Sequence, residues 1–423
     1  MDKWHPLCSF RGMRIEIPRE SDRIGAVQIY GLQKVYELDS GPDHEAIFHK
    51  EDSIIQRISY ESLFQIEQDM AIVVPVKEER LKLIEGVLCG IPHQCTAIVV
   101  SNSSRDPIDR VYIEEEAIRN FCKFTGRKVI FVHQKDPDCA KALLEAGYPE
   151  LIDERGLIRN GKAEGMILGT LLAKVMGKRF VGFVDSDNYF PGAVNEYVKE
   201  YAAGFNMCGT ENTFVRISWH SKPKVLDNSL YFAKWGRSTV QTNRVLNRLI
   251  SMYSGFETEV VKTGNAGEHA LSLDLAMEID YATGYAVETY HFINIIEKFG
   301  GILEGPSPDA IRRTVKICQI QSRNPHLHES KGEEHVEDMI YASWRAIYHS
   351  GITPQMLKDE LYAEMKERGY LNADGTVKPL TYYPALRKLN LDTFADLTSA
   401  IWEAPLSSPS STMVPSAPVA FAK

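Results

Sequence analysis

An α/β fold is predicted, with a mostly parallel sheet flanked by helices and a helical C-terminal region, and three observations carry it. Four short β-branched runs, Ala71 to Val74, Ala97 to Val100, Val129 to Val132 and Phe180 to Val184, recur along the middle of the chain. The segments between them are long enough for helical crossovers, which is the pattern of a parallel sheet covered on both faces. Past Gly300 the text becomes amphipathic and helical, notably over Glu333 to His349 and Thr353 to Arg368.

Taken in order, residues 1–66 form an N-terminal extension in which short β-like runs such as Ala26 to Tyr30 alternate with polar turns. Residues 67–300 hold the four runs and read as the main domain. Within it, Lys162 to Met176 is a crossover helix: Met166, Ile167, Leu171, Leu172, Val175 and Met176 recur at helical spacing and Gly177 stops the run. Residues 301–402 form the helical C-terminal region. The tail, 403–423, is rich in Ser, Pro and Ala, a composition expected to be disordered.

With 423 residues, 44% of them hydrophobic and 25% charged, the chain has ordinary globular composition and can bury a large core. The net charge of −9 argues against broad affinity for nucleic acid or an anionic membrane, while leaving room for a local pocket that takes a phosphorylated metabolite. No stretch approaches the roughly 18 to 20 apolar residues of a membrane span. MDKWHPLCSFRGMRIEIPRE has no apolar run resembling a signal-peptide core. The seven cysteines are scattered and include no CxxC, so a reduced, cytoplasmic protein is expected.

The sharpest local signal is Val181-Gly-Phe-Val-Asp185-Ser-Asp187-Asn-Tyr, an apolar strand running into two carboxylates separated by one residue. Ligands of open α/β sheets gather at the carboxyl ends of strands, and two oxygen donors there suit Mg²⁺, Mn²⁺ or another hard divalent cation. The bland alternative is a turn with two solvated aspartates. A haloacid-dehalogenase phosphatase also sets Asp-x-Asp after a strand, but near its beginning and before Gly and Thr or Ser; here Asn188 and Tyr189 follow.

Gly156-Leu-Ile-Arg-Asn-Gly161-Lys162-Ala163 nearly matches a phosphate loop, but Ala163 replaces the hydroxyl residue that would hold Mg²⁺, so a P-loop enzyme is not expected. Lys162 at a helix start could still meet a diphosphate, or be an exposed first-turn lysine. Gly236-Arg237-Ser238-Thr239 opens another helical stretch and offers backbone donors, a forked cation and hydroxyls to one phosphate; an ordinary cap is the competing reading. In Arg323-Asn-Pro-His326-Leu-His328-Glu329 two histidines share one side of an extended segment and could complete a metal site, or form a solvated pair. There is no HExxH for a zinc hydrolase, and neither Gly264-Asn-Ala-Gly267-Glu268-His269 nor Gly284-Tyr-Ala-Val-Glu288 matches GxGxxG.

Together these segments resemble the mannosyl-3-phosphoglycerate synthases, retaining glycosyltransferases of the Rossmann-like GT-A type. The similarity runs from about Ile24 to about His349 and is carried by IVVPVKEERL, IVVSNSSR, HQKDP, GKAEGM, GFVDSDNYFPGAVNEYVKEYAAGF, KPKV, KWGR, TGNAGEHA, TGYAVE and RNPHLHE. Two departures are Ser186, where relatives often carry Ala, and the Ser238-Thr239 pair in a segment that otherwise varies.

The resemblance implies transfer of mannose from GDP-mannose to the 2-hydroxyl of 3-phosphoglycerate with retention, dependent on a divalent cation. It implies donor contacts at Pro75, Val76, Lys77, Glu78, Ser101, Asn102, Gln134 and Lys135, with Lys162 on the diphosphate and Asp185 near the ribose. Asp187 would bind the metal with His326 or His328. Gly236, Arg237, Ser238 and Thr239 would hold the acceptor phosphate, Asn265, Ala266 and Gly267 would line the sugar and acceptor pocket, and Glu288 would lie near the acceptor hydroxyl. No nucleic-acid or membrane partner is implied, and there is room for a homodimer. Competing readings are a glucosyl-3-phosphoglycerate synthase, a synthase acting on unphosphorylated glycerate, and a non-catalytic sugar-nucleotide sensor. A nucleotidyltransferase would need a Gly-rich loop where PVKEER stands.

Overall fold

The computed structural model describes residues 12–40, 55–209, 211–226, 229–233, 236–303, 313–327 and 332–407. The Ser/Pro-rich tail beyond 407, together with Lys234 and His328, lies outside them.

The four apolar runs become strands Met70–Val76, Thr96–Ser101, Val129–His133 and Phe180–Phe183. In chain order the strands are Gly12–Glu16 (β1), Ser21–Ile24 (β2), Val27–Ser40 (β3), Ile55–Ser59 (β4), Met70–Val76 (β5), Thr96–Ser101 (β6), Val129–His133 (β7), Phe180–Phe183 (β8), Thr213–Ser218 (β9), Lys222–Leu226 (β10), Ser229–Ala233 (β11), His269–Ser272 (β12), Tyr281–Ala282 (β13), Val315–Gln321 (β14) and Tyr382–Tyr383 (β15).

One large sheet has the order β4-β1-β3-β14-β9-β12-β8-β5-β6-β7, with β2 paired to β3. Strands β8, β5, β6 and β7 pair in parallel, as do β9, β14 and β3. Strand β12 is antiparallel to both β8 and β9, so those two point the same way. Only β1, β2 and β12 oppose the common direction, which makes the sheet mostly parallel. The N-terminal strands continue this same sheet past β14.

Both faces of the sheet are covered, which explains the continuous apolar runs. On β5, Met70, Ile72, Val74 and Val76 pack into one buried cluster while Ala71 and Val73 pack into the other. Helices Tyr60–Gln68 (α1), Leu81–Gly90 (α2), Arg110–Thr125 (α3) and Pro191–Cys208 (α6) belong to the first face. Helices Pro137–Glu145 (α4), Lys162–Val175 (α5), Arg237–Ser254 (α7), Leu273–Glu278 (α8) and Val287–Phe299 (α9) lie on the other with the C-terminal helices. Gly169 lets α5 press on β5: a Cβ there would lie 2.5 Å from Val73 Cγ1.

The C-terminal region contributes helices Gly332–His349, Gln355–Glu367 and Leu391–Trp402. It pairs β15 with β13 in a separate two-stranded sheet, and Leu406 bridges to Val129 on β7 of the main sheet. Among the described residues no helix is long and apolar enough to cross a membrane.

These directions determine one functional rim. The chain leaves β5, β6, β7, β8, β9 and β14 at the same edge of the sheet, and because β12 runs the other way, the turn that precedes it arrives there too: His269 pairs with Phe183 at the end of β8 and with Arg216 on β9.

Candidate active site

Asp185 and Asp187 follow β8 directly at that rim. Asp187 is 7% exposed, and its neighbour Asn188 bridges the turn by donating from Nδ2 to Asp185 O at 2.8 Å and to Glu268 Oε1 at 3.0 Å. Lys162, the first residue of α5, reaches Asp185 Oδ1 at 2.5 Å and Glu288 Oε1 at 2.8 Å. Burial works against the Lys162 charge, but Asp185 and then Glu288 outweigh it and hold the ammonium well above its ordinary pKa. Gly161 opens α5 without a side-chain cap, and the first-turn Glu164 carboxyl folds back over it, against the place where a Cβ on Gly161 would stand.

Glu268 is buried beside this turn and accepts from Trp219 Nε1 at 2.9 Å as well as from Asn188. Burial first, then Asp185 and Asp187, push its carboxyl up to about 8 against the pull of Asn188 and Lys162. Four carboxylic side chains, Asp185, Asp187, Glu268 and Glu288, thus share one rim with one lysine, and the field that raises Glu268 is one that a divalent cation would relieve.

The segment after β14 docks here. Tyr189 N donates to Leu327 O at 3.0 Å, His326 N donates to Ser221 O at 2.9 Å, and the buried His326 ring stacks on Trp219 at 3.8 Å. Asp187 and His326 therefore belong to abutting segments. Among the described residues no three His, Cys, Asp or Glu side chains form a ready-made metal cage, so a hard cation would draw its other ligands from substrate oxygens and water.

The expected acceptor residues border the same rim. Gly236 precedes α7 with no side-chain cap, Ser238 and Thr239 are buried, and Arg237 is exposed. One pocket is lined by Ser218, Trp219, Gly236, Thr239, Lys262, Thr263, Asn265 and Ala266. Gly267 brings this turn against the acids: a Cβ on it would lie 2.6 Å from Asp185 Oδ2 and 3.3 Å from Lys162 Nζ. Among the described residues Ser218 Oγ, Asn265 Oδ1 and Glu288 Oε2 are buried without a hydrogen-bond partner. Leaving such atoms unpaired costs about 1–3 kcal/mol each, and the two that line the pocket, Ser218 Oγ and Asn265 Oδ1, suit a polar ligand there.

Of the expected donor residues, Pro75 and Val76 end β5, and the exposed Lys77 and Glu78 continue from them as a lip. Glu78 holds a left-handed backbone (φ 58°), braced by its N–H donating to Ser103 Oγ at 2.8 Å and by Ser104 N donating to its Oε1 at 2.6 Å. Asn102 N donates to Val76 O at 2.8 Å, joining the second loop to that lip. Ser101 directs its hydroxyl to buried Glu114 Oε2 at 2.6 Å. Gln134 Nε2 donates to Arg159 O at 2.7 Å, and Lys135 donates to Ile158 O, so both brace the loop that leads into α5.

Several residues that build the site are not singled out by their motifs or carry none. Arg216, fully buried on β9, donates to Thr263 O at 2.8 Å from Nε and to Glu288 O at 2.8 Å from Nη1, locking the turn before β12 to α9. Burial pulls its pKa down to about 9. Glu164 accepts from Thr283 Oγ1 at 2.5 Å and the Tyr383 hydroxyl at 2.6 Å, connecting α5 to the turn before Glu288 and to the C-terminal region. Glu268 stands inside a motif, yet only its burial beside Asp185 distinguishes it from a loop carboxylate.

A family model described as mannosyl-3-phosphoglycerate synthase matches residues 17–398. The mannosyl-3-phosphoglycerate synthase of Pyrococcus furiosus is 45% identical over 360 residues, covering 85% of this chain and 90% of the relative. That of Aeropyrum pernix is 35% identical over 376 residues, covering 88% and 94%. A solved glucosyl-3-phosphoglycerate synthase from Mycobacterium tuberculosis, in complex with Mn²⁺, UDP-glucose and glycerol 3-phosphate, aligns with TM-score 0.47 and 16% identity over 77% of this chain and 94% of that one, too remote to bear on the site. A match running from the N-terminal strands to the last helix, with relatives similar over nearly their full length, makes this chain a member of the mannosyl-3-phosphoglycerate synthase family.

Proposed function

We propose that the chain transfers mannose from GDP-mannose to the 2-hydroxyl of 3-phosphoglycerate, with retention at the anomeric carbon and release of GDP. Family membership supports the reaction. The observation that carries the site assignment is the closeness of Gly267 to Asp185 and Lys162, which joins the acceptor turn to the strand-end acids in one cleft.

In this reading the lip Pro75 to Glu78, with Ser101, Asn102, Gln134 and Lys135 behind it, forms the guanosine side, and Asp185 lies by the ribose. Asp187 and a histidine of the 326–328 segment would hold Mg²⁺ or Mn²⁺, which when bound neutralises charge on the departing diphosphate. Lys162 adds a fixed positive charge there, and its third N–H is the donor left for a phosphate oxygen. Arg237, with the first-turn amides and hydroxyls of α7, holds the acceptor phosphate, and that anchoring orients the 2-hydroxyl. In a front-face displacement the acceptor oxygen bonds to the anomeric carbon while the diphosphate oxygen leaves and takes the acceptor proton. Glu288 then orients the acceptor without forming a bond.

Residues 67–300 supply the catalytic cleft and 301–402 complete its metal side; a cytoplasmic setting belongs to the same reading. The test is incubation with GDP-mannose, 3-phosphoglycerate and Mg²⁺ and mass identification of the product, beside GDP-glucose, UDP-glucose and unphosphorylated glycerate. Mannosyl-3-phosphoglycerate is the expected product. Turnover only with a glucose donor, or only with glycerate, would replace this reading with the corresponding synthase.

A further inference from the structure

Helix α6 begins at Pro191, only four residues after Asp187, and carries two buried glutamates one turn apart. Glu196 and Glu200 are 1% and 0% exposed. Glu196 grips the segment that follows β14. Its Oε1 accepts from Arg323 N at 2.5 Å, and its Oε2 accepts from Asn324 N at 2.8 Å and Asn324 Nδ2 at 2.5 Å. Among the described residues no donor serves Glu200, whose carboxyl instead meets that of Glu196. Burial, then the neighbouring Glu196 carboxyl, raises Glu200 well above its ordinary pKa. The next residue along α6, Tyr197, sets its hydroxyl 3.4 Å from His326 Nδ1, on a ring already stacked against Trp219.

One rigid helix thus holds both halves of the cation site: the acid turn runs straight into its first residue, and its second turn grips the histidine segment by backbone and by ring. We propose that Glu196 and Tyr197 are positioning residues for the cation, Glu196 by pinning Arg323 and Asn324 and Tyr197 by orienting the His326 imidazole toward the acids at the end of β8. Outer contacts of this kind determine metal affinity through ligand orientation. The inference rests on the cation site of the proposed reaction.

The test is Mn²⁺ titration of the full chain, followed by the electron paramagnetic resonance signal of the free ion, with and without GDP, beside metal-free GDP binding. Glu196→Gln keeps the shape but turns an amide toward N–H donors; Mn²⁺ binding is expected to weaken by about tenfold or more, with metal-free GDP binding unchanged. Tyr197→Phe, which removes one long hydrogen bond, should weaken Mn²⁺ by about threefold. Glu200→Gln, at a carboxyl that holds no donor of the histidine segment, should leave Mn²⁺ affinity unchanged. Wild-type Mn²⁺ affinity in both Glu196→Gln and Tyr197→Phe overturns the proposal, as does parallel loss of Mn²⁺ and GDP binding in Glu196→Gln. If Glu196→Gln does not fold, unchanged affinity in Tyr197→Phe overturns it alone. Absence of Mn²⁺ binding by the wild type with GDP present would instead refute the cation site itself.

Discussion

Lys162 Nζ lies 2.8 Å from Glu288 Oε1, joining the first turn of α5 to the first turn of α9 beneath the strand-end acids. Glu288 is almost fully buried, so Lys162→Met would strand its charge. That change should cost about 3–5 kcal/mol of stability, and adding Glu288→Gln should recover most of it. Urea unfolding of the two single variants and the double variant measures the coupling. Transfer should fall by at least about 10²-fold in every variant lacking Lys162, since the fixed charge at the leaving group is gone. Full additivity of the two stability changes would contradict the pairing.

Gly267→Ala places a methyl where only 2.6 Å separates the new Cβ from Asp185 Oδ2. The carboxylate can swing aside, so the melting temperature should change little while kcat falls by about tenfold or more, as expected for a misplaced reacting group. Loss of stability without loss of turnover would show that the turn and the acid are not functionally joined.

Arg237→Ala should raise the KM for 3-phosphoglycerate by about tenfold or more and leave the KM for GDP-mannose close to wild type, because one charged partner of a dianion is removed. Steady-state kinetics with each substrate varied in turn decide this. A change confined to the donor would exchange the two halves of the site.

Asp187→Ala should abolish both transfer and the response to Mg²⁺. Chelation of the wild-type enzyme should produce the same loss, reversed by added cation. Near-normal turnover with chelator present would remove Asp187 from the metal site.

His291 is buried on α9 against Phe214, His269 and Tyr281. Burial, then Arg216, pushes its pKa down to about 3. In the unfolded chain a histidine takes up its proton near pH ~6.5. Between those values the unfolded state binds more protons, so the stability His291 contributes is full above pH ~6.5 and declines as pH falls, by up to about 1.4 kcal/mol per unit. Glu268, raised by burial, runs in the opposite direction over part of this range, so a difference measurement is needed. Relative to wild type, His291→Phe should gain unfolding free energy steadily from pH ~6.5 to ~4. A difference that does not vary with pH would refute this.

The central fold was legible because its determinants are local. Each of β5 to β8 is a contiguous apolar run, and α5 declares itself by helical spacing and a terminal glycine. The acid turn was legible for the same reason, since strand and carboxylates are adjacent in sequence. Pattern alone does not contain the direction in which a polar group spends its hydrogen bonds. Ser101, Gln134 and Lys135 stand after strands as donor contacts would, yet each has a donor committed to the protein. Arg216 sits inside an otherwise apolar strand and acquires its role only when Thr263 and Glu288 arrive from 47 and 72 residues away. Glu196 looks like one more charge in an amphipathic helix until the segment after β14 closes over it.

The reversed strand β12 carries a consequence for how specificity could diversify. Its short ladder to β8 clamps two turns, residues 184–190 and 264–268, at a constant separation, while the chain upstream of residue 264 enters from α7 rather than from a neighbouring parallel crossover. On the proposed assignment of the two sides, insertions in that upstream stretch would remodel the side that receives while the ladder keeps the acid turn in place. The antiparallel strand is, on that assignment, a seam along which one side can be retailored and the other inherited.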